Sequence, residues 1–433
     1  MLGYIKKLLA ISSGILLIVM FYLSLQLVES GKTARYYKTD YAELHSVAYG
    51  MFNSDIWTRK VTKIIDDKIE NFDFNENNRV EIKSYISKII DTLILEADRV
   101  VREHNQGKRG FFDSIMGSTK QMITDSILDI RKLRDRVPEF TNAVMEEVEK
   151  PENQQRAKLV LREKLKQFTE KRFTPSTDMT DFNAILTKYN TKTLEECTLV
   201  LENHRTLLSE SMNEEMEKIL LLALIIIILI VLHGVLSSLT LFVLASSSLI
   251  LLVSGVMLPM LDIEAKISKL YFVILDKSVV FENQILFFQS KSISDLVRVL
   301  LDSGEAKMIL VGLLLVMFSI IFPSIKLLAS YLYFYSKGFL GNNPITYFFA
   351  LRSTKWSMAD VMVVSIFMAY LGLDGVISNE LKHLEKNSAP VNIITSNETH
   401  LEVGFFLFLG FVATSFVLSL MVEYKRKKDL LSK

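Results

Sequence analysis

The chain has 433 residues, half of them apolar, and a formal net charge of +1 at pH 7. A balance this close to zero gives no bulk attraction to nucleic acid. Cys197 is the only cysteine, which excludes an internal disulfide and any zinc centre built from several thiolates. The apolar residues are gathered into a few uninterrupted runs rather than spread periodically, and runs of about 18 or more read as membrane spans.

In chain order, Lys6-Lys7 precede an apolar stretch from Leu8 to Val28. A cleaved signal peptide is one reading of it, but the run is long for that and no A-x-A-like site follows, so a retained signal-anchor helix within residues 1–29 is expected. Residues 30–216 then form a large extracytoplasmic insertion with a helical pattern. Ile82, Ile86, Ile89, Leu93, Ala97 and Val100 make one stripe, and Ile123, Ile127, Ile130, Leu133 and Val137 another, with Pro138 as a boundary. Packing between helices accounts for such stripes better than any cofactor site. Thr174-Pro175-Ser176-Thr177-Asp178 reads as a loop. A last helix, about 193–217, runs towards the second span with no Pro or Gly between them.

The block from Ile219 to Met260 is about twice the length one span needs. His233-Gly234 and Ser237-Ser238 divide it into spans near 219–234 and 238–258. The following loop, 259–307, is expected to hold a short strand pair, Val279–Phe281 and Gln284–Gln289, and then a helix from Ile293 to Leu301 capped by Ser292. Further spans are expected at 308–330, 358–373 and 403–422, with a loop over 374–402 and a basic tail at 425–433. Asn397-Glu398-Thr399 matches a glycosylation acceptor, a chance match in most bacterial proteins. The reading is therefore an all-α polytopic membrane protein of six transmembrane helices, with a helical extracytoplasmic domain between the first two and a small mixed α/β extracytoplasmic loop region. Lys6 and Lys7, then Lys337, Arg352 and Lys355, then Lys425–Lys428 fall on one face, which places both termini in the cytoplasm. The loop 259–307 also carries cations, but they alternate with acids.

Several short motifs then occur in a telling order. Leu258-Pro259-Met260 resembles the exit of the first helix in a paraquat-inducible protein A module. Phe288–Ile293 and Leu300–Gly304 look like the segment before that module's next helix, and Phe322-Pro323-Ser324-Ile325-Lys326-Leu327 is similar to its Pro-x-x-Lys-Leu exit. Lys355-Trp356-Ser357-Met358-Ala359-Asp360-Val361 resembles the W-S-M-x-D-V start of the third helix. The resemblance covers roughly 239–424, a four-helix module, with 217–238 as a separate second span. It implies a bacterial inner-membrane protein that works with a mammalian-cell-entry (MCE) protein, a tunnel-forming partner, to move phospholipid. The chain departs from the family pattern in having one module, no cysteine-rich zinc ribbons and the added 30–216 insertion, so no metal or other cofactor is carried over.

Within the module, Pro323, Lys326, Lys355, Ser357 and Asp360 are the transport or gating candidates. Two readings of Lys326 stay open. It snorkels to the headgroups beside Tyr331, Tyr333 and Tyr335, or it faces the bundle and pairs with Asp360 to close a cavity or relay a proton. Ser246, Ser247, Ser248, Ser254, Gly255 and Pro259 put small residues at the third span, for close packing or for an acyl groove. Phe405, Phe406, Phe408 and Phe411 read as lipid-facing bulk. His45, His104, His204, His233, His383 and His400 show no metalloprotease spacing, and neither a P-loop nor a G-x-S-x-G elbow occurs, so no enzyme is expected. The functional expectation is a lipid transport subunit. The alternative is an envelope-stress sensor or membrane scaffold whose extracytoplasmic domain binds a protein.

Overall fold

Two helices are far too long for the bilayer alone. The computed structural model describes residues 2–70, 178–234, 236–274, 277–335, 343–352, 358–386 and 392–431, with isolated helical residues between 83 and 163. In it α1 runs Leu2–Leu44 and, after α2 (Ser54–Glu70) and α3 (Thr180–Lys188), α4 runs Leu194–His233. At about 1.5 Å per residue each extends about 60 Å, twice a hydrocarbon layer of about 30 Å. The apolar half of each crosses the membrane and the polar half continues beyond it as a stalk.

The two pair antiparallel. Gly31 meets Met212, Tyr37 stacks on His204 with ring centroids 5.0 Å apart, and the Tyr41 hydroxyl donates to Glu202 at 3.1 Å. Leu44, Cys197 and Leu201 are buried in the stalk. At its far end His45, 5% exposed, shares a 2.9 Å hydrogen bond with the Thr198 hydroxyl and lies 4.4 Å from the Tyr41 ring. The α4 helix passes unbroken from the stalk into the second span, as its sequence implied. It ends at Gly234, whose φ of 69° is left-handed and favours glycine. Ser237 then opens α5 (Ser238–Met257) with a reciprocal capping pair to Thr240, so the long apolar block is indeed two helices. Lys425 donates to the Leu236 carbonyl at 3.1 Å and stitches this turn to the last helix.

Beyond α5 the structure departs from the expected loop. The pieces 279–281 and 284–289 are not a strand pair; both belong to one strand, β2 (Lys277–Lys291), with Asn283 at a positive φ between them. Their partner is β1 (Leu261–Ile274), antiparallel, with a register shift at Ala265/Lys266; on its other edge, where β1 pairs with a later strand, the shift falls at Ile267/Lys269. Interleaved Asp, Glu and Lys made β1 look like a solvated loop, but Asp262 and Glu264 point inward at the stalk and are buried. The shifts change which face alternate residues occupy, so that Leu270 and Phe272 turn towards α2, where Trp57 stacks on Phe272 at 5.2 Å. The stretch 374–402 is also no loop. The helix α10 named below carries on to Lys386, then β3 (Asn392–Asn397) and β4 (His400–Leu401) pair with β1. Ile377 and Leu381 of that helix pack on Ala265, which gives it a reason to continue past the apolar run. The Asn397 amide is engaged by Asp374 and Ser378, a structural role for the glycosylation-like triplet.

Ser292 caps α6 (Ile293–Asp302) with Asp295 as its reciprocal partner, where the sequence placed it. The fourth span comprises α7 (Ala306–Val316), a π-turn at Met317–Ile321 and α8 (Phe322–Tyr335). A short helix α9 (Pro344–Tyr347) precedes α10 (Ala359–Lys386), and α11 (Val403–Leu431) closes the chain. Among the described residues, six helices are long and apolar enough to span a membrane. The expected stripes at 82–100 and 123–137, the 174–177 part of the expected loop, and Lys337 lie outside the described residues, isolated helical positions aside.

The bundle core corrects one reading. Phe405, Phe408 and Phe411 are buried, and only Phe406 keeps a lipid-exposed face. The cause is the small face of α5: a Cβ on Gly255 would lie 2.8 Å from the Phe408 backbone nitrogen, so α11 comes close enough to bury its aromatics. Replacing Gly255 by Leu is expected to cost about 1–3 kcal/mol or more by overpacking. Thermal unfolding in detergent micelles should show this, with Gly372→Ala, where a Cβ meets nothing, unchanged or stabilised. A second expectation concerns the stalk tip. Burial pushes the His45 imidazole down to about 4. A depressed histidine contributes stability that is full above its unfolded value near 6.5 and is lost as pH falls towards 4. The stability advantage of wild type over His45→Gln, measured by urea titration, should therefore shrink across that window.

Candidate functional site

Polar side chains collect at two levels, one inside the bundle and one where the sheet meets it. The inner group begins with Pro323. It has no N–H to give the Ser319 carbonyl, and an α-turn would drive its ring into that carbonyl. The chain widens instead into the π-turn, where Phe322 donates to the Met317 carbonyl five residues back. Ser319 is fully buried and its hydroxyl has no hydrogen-bond partner. One turn beyond Pro323 comes Lys326, only 5% exposed. Its ammonium reaches the Ser415 hydroxyl of α11 at 3.4 Å, and Ser330 donates to its backbone carbonyl at 2.8 Å.

Lys326 therefore faces the bundle rather than snorkelling. Asp360 lies within its electrostatic reach, but it is exposed on the first turn of α10 and makes no ion pair with it. The structure brings Pro323, Lys326 and, more loosely, Asp360 together; Lys355 and Ser357 lie outside the described residues. The small residues of α5 form a separate packing face. Ser247, Ser248, Ser254 and Gly255 are buried and Ser246 half-buried, and the Ser247 and Ser248 hydroxyls are both spent on the Leu244 carbonyl. Pro259 is buried at the exit of α5, and its carbonyl accepts the Gly404 N–H at 2.9 Å.

The outer group was not visible in sequence. Gly31, Arg35 and Lys38 recur at four- and three-residue steps and so share one face of α1. Gly31 admits Leu258 of the α5 exit, Arg35 binds Asp295 at 2.7 Å, and Lys38 bridges Asp262 at 2.7 Å and Glu402 at 2.6 Å. His400 lies 3.4 Å from the same Glu402 oxygen. Burial, with the Glu402 charge beside it, pushes the Asp262 carboxyl up to about 6. Burial acts on Glu402 in the same sense, but His400 and Lys38 outweigh it and hold that carboxyl well below its usual range. The Glu402 hydrogen bond in turn raises His400. The partners lie 224 and 364 residues apart, so only the fold unites them. The available signal was the pair of acids just outside the ends of α5 and α11, with two cations one turn apart beyond the first apolar run.

Six spanning helices with buried polar groups define a multi-pass helical membrane protein. Residues 283–382 match the family model described as Paraquat-inducible protein A, so that segment of the chain is similar to that family. The match runs from the middle of β2 into α10; it contains Pro323, Lys326 and Asp360 and excludes Lys38, Asp262 and Glu402. No curated protein and no solved structure matches the chain.

Lys326 has no carboxylate within ion-pair distance among the described residues, so its burial is a cost to the fold. Lys326→Met should leave thermal stability in micelles unchanged or raised, because a similar volume is kept and a buried charge removed. A marked loss of stability would assign the lysine a structural role.

Proposed function

We propose that this chain is an inner-membrane subunit of a lipid transport system, passing phospholipid to or from an MCE-type tunnel protein across the bacterial envelope. In this reading both termini are cytoplasmic and residues 30–216 are periplasmic. The observation that carries it is Lys326: a cation buried in the bundle whose ammonium, among the described residues, has a hydroxyl and no carboxylate within bonding distance, on a π-distorted span within the matched segment. Intramembrane charges of this kind are expensive and mark functional positions. The exposed flanks of the fourth and fifth spans support the same reading, since these helices are the least buried of the six and contact lipid most fully. Lys326 and Asp360 gate the passage at the cytoplasmic end, Pro323 sets the direction of the helix that carries the lysine, and Lys355 and Ser357 belong to the same gate.

A scaffold or stress-sensor role draws support from the continuous α1–α4 stalk, which would transmit force or binding from the outer region to the spans. One experiment separates the two. In vesicles reconstituted with the wild type, fluorescent phospholipid transfer should fall to background in Lys326→Ala and in Asp360→Asn, with both variants inserted normally. Full transfer by both would remove the pair from the mechanism. No transfer by wild type, even with a co-purified tunnel-forming partner, would favour the scaffold.

A further inference from the structure

The cluster at the foot of the sheet offers more ligand atoms than its ion pairs use. Asp262, His400 and Glu402 each present a nitrogen or oxygen, and these atoms all lie within 4.8 Å of one another. The backbone sets them there. Asp262 and His400 face each other directly across the β1–β4 ladder, and the Glu402 N–H, two residues on, donates to the Met260 carbonyl at 3.0 Å.

At this point two carboxylates meet one ammonium, that of Lys38, and the imidazole of His400. Asp262 is 1% exposed, and its Oδ1 accepts no hydrogen bond. A carboxylate oxygen withdrawn from water without a donor is a standing cost of about 1–3 kcal/mol or more, and a second cation would remove it. His400, with a side chain 54% exposed, leaves the cluster open to solvent on one side. One imidazole nitrogen with two carboxylate oxygens is a ligand set of the zinc type, with a fourth position left for water. Magnesium and calcium would favour oxygen ligands throughout.

We propose that Asp262, His400 and Glu402 form a binding site for a divalent transition-metal ion of the zinc class, with Lys38 as the resident cation that holds the two carboxylates in the metal-free protein. The ion and the ammonium compete for the same oxygens. Metal would tie β1, β4 and the start of α11 to one another and release Lys38, while Arg35 keeps α1 attached to Asp295 one turn nearer the bilayer. The site thus exchanges a stalk anchor for a metal staple, independently of whether lipid passes through the spans.

The test is calorimetric titration of zinc into the chelator-stripped full chain in detergent micelles, with magnesium as control. Wild type should bind one zinc per chain and no magnesium. His400→Ala, a change at a half-exposed side chain, should bind at least about tenfold more weakly. Lys38→Met should bind about tenfold more tightly, because the competing charge is gone. Absence of saturable zinc binding in wild type and Lys38→Met alike overturns the site, as does equal affinity in wild type and His400→Ala. Equal affinity in wild type and Lys38→Met overturns the competition with the lysine. Should Lys38→Met fail to fold, the wild type and His400→Ala pair decides the site alone.

Discussion

Leu258 is the point on which the two halves of this protein hang. Its side chain occupies the space where a Cβ of Gly31 would be, and its carbonyl lies 2.5 Å from where a Cβ of Gly404 would be. Three elements thus meet at a single residue: α1, the end of α5 and the start of α11. No side chain larger than hydrogen fits at either glycine without moving one of them. Three residues later the chain enters β1. Lys38 closes on Asp262 and Glu402 only because Gly31 has brought α1 to this distance two turns earlier.

Two lysines, Lys326 buried and Lys38 half-buried, show how differently a fold can treat the same charge. Lys38 has two carboxylates within 2.7 Å, and breaking such a contact would strand the buried Asp262. Lys326 has one hydroxyl at 3.4 Å and, among the described residues, no carboxylate within ion-pair distance. The first arrangement is self-sufficient and serves attachment. The second leaves an ammonium short of partners inside the bundle, a state that the surrounding packing must sustain. That contrast, more than burial alone, separates a joint from a working group.

The spanning helices were legible because their signal is local: an apolar run of sufficient length has only one stable backbone in lipid. The break at Gly234 and the caps at Ser237 and Ser292 were legible for the same reason, since capping depends on residues three apart. The sheet was not. Asp262, Glu264 and Lys266 alternate as a solvated strand or loop would, and only the stalk opposite makes their face an interior one. The aromatics of α11 were misread by the same logic, for nothing in Phe405–Phe411 says that Gly255 faces Phe408. A proline inside an apolar run disturbs a helix, but that the disturbance at Pro323 takes the form of a π-turn depends on the packing around Ser319.

The extent of the family segment bears on how the parts act together. It covers the second half of β2, α6, the distorted fourth span and most of α10, so Lys326 lies inside the matched segment while its partner Ser415 lies outside it. The α1–α4 stalk lies outside it, yet it adds to the family segment at three places. Arg35 binds Asp295, and His45 and Val47 exchange backbone hydrogen bonds with Ile285 at the edge of β2. Gln284, next to Ile285, accepts the Met51 N–H at 2.8 Å. An exposed strand edge is a liability that proteins cover, and here the stalk's own chain covers it. A displacement of the stalk would uncover that edge and pull at Asp295, which caps the helix leading to the distorted span. Outer region and matched segment are thereby joined through hydrogen bonds and one ion pair within 284–295, in addition to the Lys38 bridges to Asp262 and Glu402.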